Sequence, residues 1–166
     1  MIEFAIRSAE RSDIPQVFAM VRELAVFEKL EDQLVGTESD LESAVFDANG
    51  PEVLVAERDG SLVGYAIFFH NFSTFLCRRG IYLEDLYVRP EHRGLGIGKS
   101  FLSHLARLAS ERRCGRMEWA VLDWNQRAID VYESIGGEIL PDWRIVRLGG
   151  AAIDELAERN HGRSAS

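Results

Sequence analysis

Residues 81–100 have the sequence IYLEDLYVRPEHRGLGIGKS, and this segment gives the strongest indication of the fold. The apolar run of residues 81–89 predicts a strand that ends at Pro90. Three glycines then alternate with other residues between positions 94 and 98. From Phe101 onwards, apolar residues recur at helical spacing. The stretch therefore predicts a strand, a glycine loop and an amphipathic helix in direct succession.

The glycine loop has the composition of a phosphate-binding loop. Without Cβ atoms the backbone can approach a ligand closely, and the amides at the start of the next helix favour an anion. A P-loop is excluded because Arg93 stands where its first glycine belongs. A dinucleotide fingerprint is excluded because Lys99 or Phe101 stands at its third glycine. The pattern R/Q-x-x-G-x-G/A fits Arg93, Gly96 and Gly98. A tight glycine turn without a ligand is the open alternative.

Capping residues mark two helices in the first third of the chain. Ser12 and Asp13 offer an N-cap just before Pro15, which predicts a first helix that ends near Phe27. Residues 37–46 begin with a capping-box pattern and predict a second helix.

The other apolar runs predict strands. Asp59 and Gly60 separate two of these runs and favour a tight hairpin, because both turn positions require a positive φ. Residues 71–80 are predicted to form a loop. Outside residues 81–100, strands are predicted at residues 2–7, 53–58, 62–69, 116–122 and 143–148.

Two further helices are predicted near the end of the chain. One is capped by Asn125 and closed by Gly136 and Gly137, and the other covers residues 151–158. The element order combines an antiparallel hairpin with later strand–helix–strand units. It predicts an α/β (mixed α+β) fold, in which one mixed sheet has helices on both faces.

Length and composition limit the possible functions. The 166 residues predict a single domain over residues 1–158 and a flexible tail over residues 159–166. The net charge of −8 disfavours binding to nucleic acid and favours a cation, although acidity can also serve solubility alone. No apolar run is long enough for a membrane span and no signal peptide is visible, so we expect a cytoplasmic protein. Two cysteines and four histidines, at no metal-ligand spacing, predict no metal.

Three segments resemble the motifs of the GNAT family of N-acetyltransferases: YLEDLYV (residues 82–88), RGLGIG (93–98) and AVLDWNQRA (120–128). Within that family, the chain is similar to the thialysine and diamine (spermidine/spermine) acetyltransferases. The resemblance extends from about residue 4 to residue 148. It implies a strongly twisted mixed sheet that is splayed in the middle.

The resemblance also implies acetyl-CoA as cosubstrate. The cofactor would lie in the cleft between the strand that ends near Val88 and the strand over residues 116–122, with its pyrophosphate on the glycine loop. The cofactor-binding residues implied in this way are Leu86, Tyr87, Val88, Arg93, Gly94, Leu95, Gly96, Ile97, Gly98, Lys99, Asn125, Gln126, Arg127, Ala128 and Tyr132. As alternatives, Asn125 can serve only as a helix cap and Arg127 can lie on a solvated face.

Acetyl transfer to an amine requires removal of a proton from the amine and benefits from a proton for the departing thiolate. The resemblance implies that Tyr132 donates the proton to the departing thiolate, and a phenol with a pKa near 10 suits that task. Its helical spacing with Ile129 and Ile135 alone would favour a core aromatic residue.

Glu84 and Asp85 are adjacent in the predicted strand, so their side chains are expected on opposite faces. A carboxylate in an apolar strand is costly unless it is paired or functional. The resemblance implies that Glu84 lies at the substrate amine, as a general base acting through water or as an anchor for the cation. It also implies substrate contacts for Asp85, Phe27 and Glu28. The alternatives are an arginine salt bridge for either strand carboxylate, a core position for Phe27 and a solvated position for Glu28.

The resemblance favours a thialysine- or lysine-like amine over a diamine or polyamine. Residues 71–80 lack the acidic residue and tryptophan of the polyamine-type pattern, whereas residues 123–127 are similar to the thialysine type. Two other functions are open: acetylation of a protein lysine or N-terminus, and binding of acyl-CoA without catalysis. A homodimer is also implied.

Overall fold

The structure is a computed structural model that describes residues 3–159. The chain divides into two compact units, residues 1–126 and 127–166. The single domain expected from the sequence stays a prediction. The strands of the first unit are β1 Ala5–Ser8, β2 Glu52–Arg58, β3 Ser61–Ser73, β4 Arg78–Val88 and β5 Met117–Glu118. The helices are α1 Ile14–Glu28, α2 Glu38–Phe46, α3 Ile97–Glu111, α4 Gln126–Ser134 and α5 Ala151–Arg159.

The five strands form one mixed sheet in the order β1-β2-β3-β4-β5, which confirms the predicted class. Strands β1 to β4 are antiparallel to their neighbours. Strand β5 is parallel to β4, and α3 lies between the two in the chain. The β4–β5 pairing contains only Ile81 with Met117 and Tyr82 with Glu118. Beyond these pairs, the described residues supply no strand to that side of β4.

Helices pack on both faces of this sheet. From α1, Val17 and Met20 are fully buried in a cluster with Val55 and Tyr65. On the opposite face, a Cβ at Gly64 would lie 3.2 Å from the Phe101 ring of α3. Glycine is required at this position, because the same Cβ would also lie only 2.7 Å from the Tyr87 carbonyl oxygen of β4.

The local signals for α2 and for the β2–β3 hairpin are confirmed. The amide of Asp40 donates to Thr37 Oγ1 over 3.2 Å, and the amide of Thr37 donates to Asp40 Oδ2 over 2.9 Å. This reciprocal pair is a capping box. Asp59 and Gly60 have φ values of 52° and 75°, as the tight turn requires.

The N-cap predicted for α1 is wrong in its chemistry. Asp13 is the residue before the helix, but its side chain makes no capping bond. Its carboxylate accepts instead from the Arg7 guanidinium at 2.7 Å and from the amide of Glu10 at 2.7 Å. Arg7 lies on β1, six residues before Asp13, and the bond forms because the chain folds back between β1 and α1, which a capping pattern does not encode.

Three predictions about strands are also wrong. Residues 71–80 are mostly strand, because β3 and β4 pair as far as Ser73 with Arg78 and leave only residues 74–77 as a turn. The strand predicted over residues 116–122 shortens to β5, because β4 and β5 stop pairing after two residues.

The strand predicted over residues 143–148 is absent. Trp143 is 79% exposed and Val146 is 92% exposed. Apolar alternation gives strand propensity, but a strand requires a neighbour for its main-chain hydrogen bonds, and none pairs with this segment in residues 3–159.

The ends of the chain differ slightly from expectation. The helix predicted over residues 151–158 is confirmed as α5 and reaches Arg159. Residue 2 of the first predicted strand and residues 160–166 of the expected tail lie outside the described residues. Within residues 3–159, no helix has the length and apolar character of a membrane span.

Candidate functional site

A β-bulge separates the two carboxylates of β4. Leu83 pairs with Phe68 and Asp85 pairs with Ile67, which leaves Glu84 as the extra residue of its strand. A bulge bends the strand and redirects side chains. The simple alternation expected from the sequence is therefore interrupted: Glu84 is exposed, whereas Asp85 is partly buried.

Asp85 accepts a hydrogen bond from a buried tyrosine. Tyr65 on β3 is 0% exposed, and its Oη donates to Asp85 Oδ2 over 3.1 Å. Burial raises the pKa of Asp85 to about 6, and the charges of Glu84 and Glu28 act in the same direction, against the Tyr65 bond that lowers it. Asp85 therefore changes its charge close to neutral pH.

Glu84 faces an open cavity of about 570 Å³. No lysine, arginine or histidine within residues 3–159 forms an ion pair with Glu84 or Asp85. The salt-bridge alternative is therefore not realised in the described part of the chain. The cavity is lined by Asn49, Gly50, Pro51, Glu52, Ile67, Phe69, His70 and Glu84.

The glycine loop leaves the start of α3 open. Gly94 and Gly96 have φ values of 82° and 84°, in the left-handed region that favours glycine. A Cβ added at Gly94, Gly96 or Gly98 would meet no atom within 4 Å. Space for a ligand is thus available along the whole loop.

The first amides of α3 lack protein acceptors. The first helical bond is from the amide of Ser100 to the Gly96 carbonyl at 2.9 Å. In residues 3–159, no acceptor is bonded to the amides of Ile97, Gly98 or Lys99, and the first turn contains no acidic residue. This combination of free donors, helix dipole and open space fits a phosphate group.

Arg93 is held between the glycine loop and α1. Its Nε donates to the Val88 carbonyl over 2.8 Å. Its guanidinium lies 5.1 Å from the Phe27 ring centroid and 5.6 Å from that of Tyr87. Phe27 also contacts Trp124, with 5.8 Å between the ring centroids. The structure therefore brings together residues from the end of α1, the end of β4 and the loop.

Glu28 is the last residue of α1, next to Phe27. Burial raises its pKa above the ordinary range for glutamate. Its charge also acts on Asp85 and Tyr65. An acidic group from the helix thus reinforces the negative potential at the bulge of β4.

A second network supports the end of β4, and sequence reasoning missed it. The Tyr87 hydroxyl donates to Glu23 Oε2 over 3.0 Å, and Arg89 Nη2 donates to Glu23 Oε1 over 3.1 Å. Arg89 Nη1 also donates to the Leu62 carbonyl over 3.0 Å. A carboxylate at helical spacing between Met20 and Phe27 was the available signal for Glu23. Nothing in the local sequence distinguishes Tyr65 from its apolar neighbours.

The third motif lies at the start of α4. Asn125 directly precedes the helix and Gln126 is its first residue. Arg127, Ala128 and Tyr132 belong to the second unit. Within that unit, the amide of Gly137 donates to the Tyr132 carbonyl over 2.8 Å and ends the helix. No group of three metal-ligating side chains occurs among residues 3–159.

Comparisons with known proteins agree with this geometry. The model of the acetyltransferase (GNAT) family matches residues 18–137. Thialysine N-epsilon-acetyltransferase from Sus scrofa is 39% identical, with 95% of this chain and 99% of that protein covered. L-ornithine N5-acetyltransferase NATA1 from Arabidopsis thaliana is 30% identical, with coverages of 93% and 88%.

Solved structures of other proteins have a similar fold. An integron cassette protein from the mobile metagenome of V. cholerae has a TM-score of 0.78 at 24% identity and covers 95% of this chain and 99% of its own. The family model and the relatives cover most of the sequence, including β4, the open start of α3 and the third motif. The chain belongs to the GNAT family of acetyltransferases.

Proposed function

We propose that the protein transfers an acetyl group from acetyl-CoA to the terminal primary amine of a small cationic substrate, in a direct reaction of both bound substrates. The acceptor is a thialysine- or lysine-like amino acid in preference to a diamine or polyamine. The observation that carries the proposal is a partly buried carboxylate, Asp85, with no cationic partner among residues 3–159, on the strand that leads into an open helix start.

The open helix start fits the pyrophosphate of the cosubstrate. The amides of residues 97–99 would donate to it, and the glycines admit it without a steric clash. Leu86, Tyr87 and Val88 offer main-chain groups on the side of β4 that lacks a neighbouring strand. When bound there, acetyl-CoA supplies the activated acetyl thioester. Arg93 keeps the loop and the end of β4 in register through its bond to Val88.

The carboxylates suit a cationic acceptor. A free amine with a pKa near 10.4 is mostly protonated at neutral pH, so it must be attracted as a cation and then lose a proton. Glu28, Glu84 and Asp85 supply the negative potential, and Phe27 supplies an apolar surface beside Glu28. Glu84 is exposed to solvent and suits proton transfer through water, whereas Asp85 suits a direct contact with the cation.

Tyr132 is the proposed donor to the departing thiolate. Tyr132→Phe keeps the ring and removes only the hydroxyl, so turnover should fall by about 10²–10⁴-fold. Affinity for CoA and thermal stability should stay close to wild type. Tyr82→Phe is the matched control and should retain turnover. A loss below about tenfold, with the chemical step shown to limit the rate, would instead make Tyr132 a packing residue.

The acceptor can be identified with a panel of amines. Thialysine and L-ornithine appear in the names of the relatives, and both are amino acids with a terminal primary amine. We expect thiol release from acetyl-CoA to be fastest with such amino acids and slower with spermidine. Faster release with lysine-containing peptides would support protein acetylation. Binding of CoA without release with any acceptor would support a sensor.

The proposed assembly is a homodimer in the cytoplasm. A closed two-fold dimer is the commonest soluble assembly. The free cysteines Cys77 and Cys114 suit a reducing compartment, and the net charge of −8 disfavours nucleic acid as a partner. Small-angle scattering at micromolar concentration should give twice the monomer mass, and a monomer mass would contradict the dimer.

A further inference from the structure

The bond between Tyr65 and Asp85 leaves one oxygen of the carboxylate available. Tyr65 Oη donates to Oδ2 over 3.1 Å. Within residues 3–159, no hydrogen bond to Oδ1 is formed, and no buried side-chain oxygen lacks a partner. Oδ1 therefore keeps contact with solvent. The carboxylate is thus bonded through Oδ2, and Oδ1 can accept a further hydrogen bond.

Resting on the proposed function, we propose that Tyr65 is a positioning residue for the acceptor. Its hydroxyl holds Oδ2 of Asp85 and so orients Oδ1 towards the acceptor amine. Tyr65 acts through Asp85 and does not itself touch the substrate.

The charges around the pair make this hydroxyl necessary. Glu84 from β4 and Glu28 from α1 both oppose ionisation of Asp85, and burial does so more strongly than either. The Tyr65 hydroxyl is the donor that offsets them. On its other side Tyr65 faces Tyr87, with 6.2 Å between the ring centroids, and the Tyr87 hydroxyl is bonded to Glu23. Tyr87 is thus not available as a second donor to Asp85.

Packing alone does not account for a tyrosine at this position. The side chain is fully buried in an apolar cluster, where phenylalanine would fill nearly the same volume without a polar atom. A buried hydroxyl is tolerated when it finds a partner, and the carboxylate of Asp85 is that partner. Burial raises the pKa of Tyr65 well above the ordinary value for tyrosine, and the charge and hydrogen bond of Asp85 act in the same direction. The phenol therefore stays protonated and acts only as a donor.

The first test uses the protein without substrates. Carboxyl ¹³C NMR titrations compare wild type, Tyr65→Phe and the control Tyr82→Phe, which removes a hydroxyl from β4 instead. The pKa of Asp85 should rise by about one unit in Tyr65→Phe, because a hydrogen bond to a charged group is lost. It should not move in Tyr82→Phe. An unchanged Asp85 titration in Tyr65→Phe would overturn the proposal, whatever reaction the protein performs.

The second test is the pH dependence of kcat/KM with the best acceptor of the amine panel. Asp85 must be ionised to hold the cation, so activity falls as the pH drops through its pKa. In Tyr65→Phe, the acidic limb of the pH profile should therefore shift to higher pH by about one unit. A purely structural defect would instead lower kcat/KM equally at every pH. An acidic limb that stays in place while the NMR titration moves would also overturn the role in acceptor binding.

The two failures can be told apart. If no amine is acetylated, the proposed function fails, but the NMR titration still decides whether Tyr65 controls Asp85. If Tyr65→Phe does not fold, 3-fluorotyrosine incorporation provides the opposite change, because its more acidic phenol is a stronger donor. The Asp85 pKa should then fall in fluorinated wild type and in fluorinated Tyr82→Phe, and an unchanged value would overturn the proposal.

Discussion

Helices α2 and α3 begin in opposite ways. At α2, Thr37 and Asp40 satisfy each other's amides, and acidic side chains occupy the first turn. At α3, Gly96 stands at the N-cap with no side-chain bond, and no acidic side chain follows in the first turn. Both starts carry the same positive end of a helix dipole. The protein neutralises one with its own side chains and leaves the other available to a ligand.

This contrast distinguishes a helix start that stabilises the fold from a helix start that is suited to bind a ligand. A capping box contributes stability, and its removal costs about 1 kcal/mol. Three glycines at alternate positions contribute none, because glycine loses more conformational freedom on folding than any other residue. The open start of α3 is therefore a cost in stability that a bound anion would offset. Changes at the two starts should accordingly affect different properties.

The largest effect is expected at the open start. Gly96→Asp places a negative charge where the pyrophosphate would lie, and affinity for CoA should fall by about a hundredfold or more. Gly96→Asn is the matched control, because it has nearly the same size and also tolerates a positive φ. Calorimetry should show a clearly smaller loss for asparagine. Equal affinities of the two variants would mean that charge is irrelevant there.

A smaller effect is expected at the closed start. Thr37→Ala removes the hydroxyl that accepts from Asp40 and should lower the free energy of unfolding by about 1 kcal/mol. Urea denaturation measures this change. Affinity for CoA should equal that of wild type, because no part of the cap belongs to the proposed site. Weaker CoA binding in this variant would contradict the conclusion that the start of α2 serves stability and the start of α3 serves binding.

The smallest effect is a difference in acid sensitivity. The hydroxyl and amide of Thr37 hold the pKa of Asp40 below its ordinary value of 3.8. Because the folded pKa is lowered, the contribution of this carboxylate is present above pH 3.8 and is lost as the pH falls through the folded pKa. The amide NMR signals of Thr37 and Asp40 should therefore titrate in this range. Those of Ile97 and Gly98 should not, since the first turn of α3 has no acidic residue.

The elements that could be predicted from the sequence are those whose conformation depends on residues close to one another in the chain. The capping box at Thr37, the turn at Asp59 and Gly60, and the glycine loop each contain their own cause within a few positions. The capping box, the turn and the succession of strand, glycine loop and helix were therefore confirmed. The same holds for the family, because its motifs are contiguous segments.

The remaining features depend on pairing between distant segments. The bulge that separates Glu84 from Asp85 arises from the register of β4 on β3, and no local pattern encodes that register. The bond of Asp85 depends on Tyr65, 20 residues earlier on β3. The bond of Asp13 spans only the six residues back to Arg7, but it depends on how β1 folds against α1 and not on a capping pattern. For the same reason the predicted strand over residues 143–148 was wrong, since its apolar pattern carries no information on whether a partner strand is present.

Strand order also has a consequence for how the chain folds. The β2–β3 and β3–β4 pairings close over Asp59–Gly60 and over residues 74–77, so little chain entropy is lost before the first contacts form. The β4–β5 pairing must wait for the whole crossover of residues 89–116, which includes α3. Local contacts form faster than distant ones. We therefore expect strands β2, β3 and β4 to pair first, and the edge of β4 where we propose that the cosubstrate binds to be completed last. That edge is then the part of the sheet that stays unpaired longest and is most open to pairing with another chain during folding.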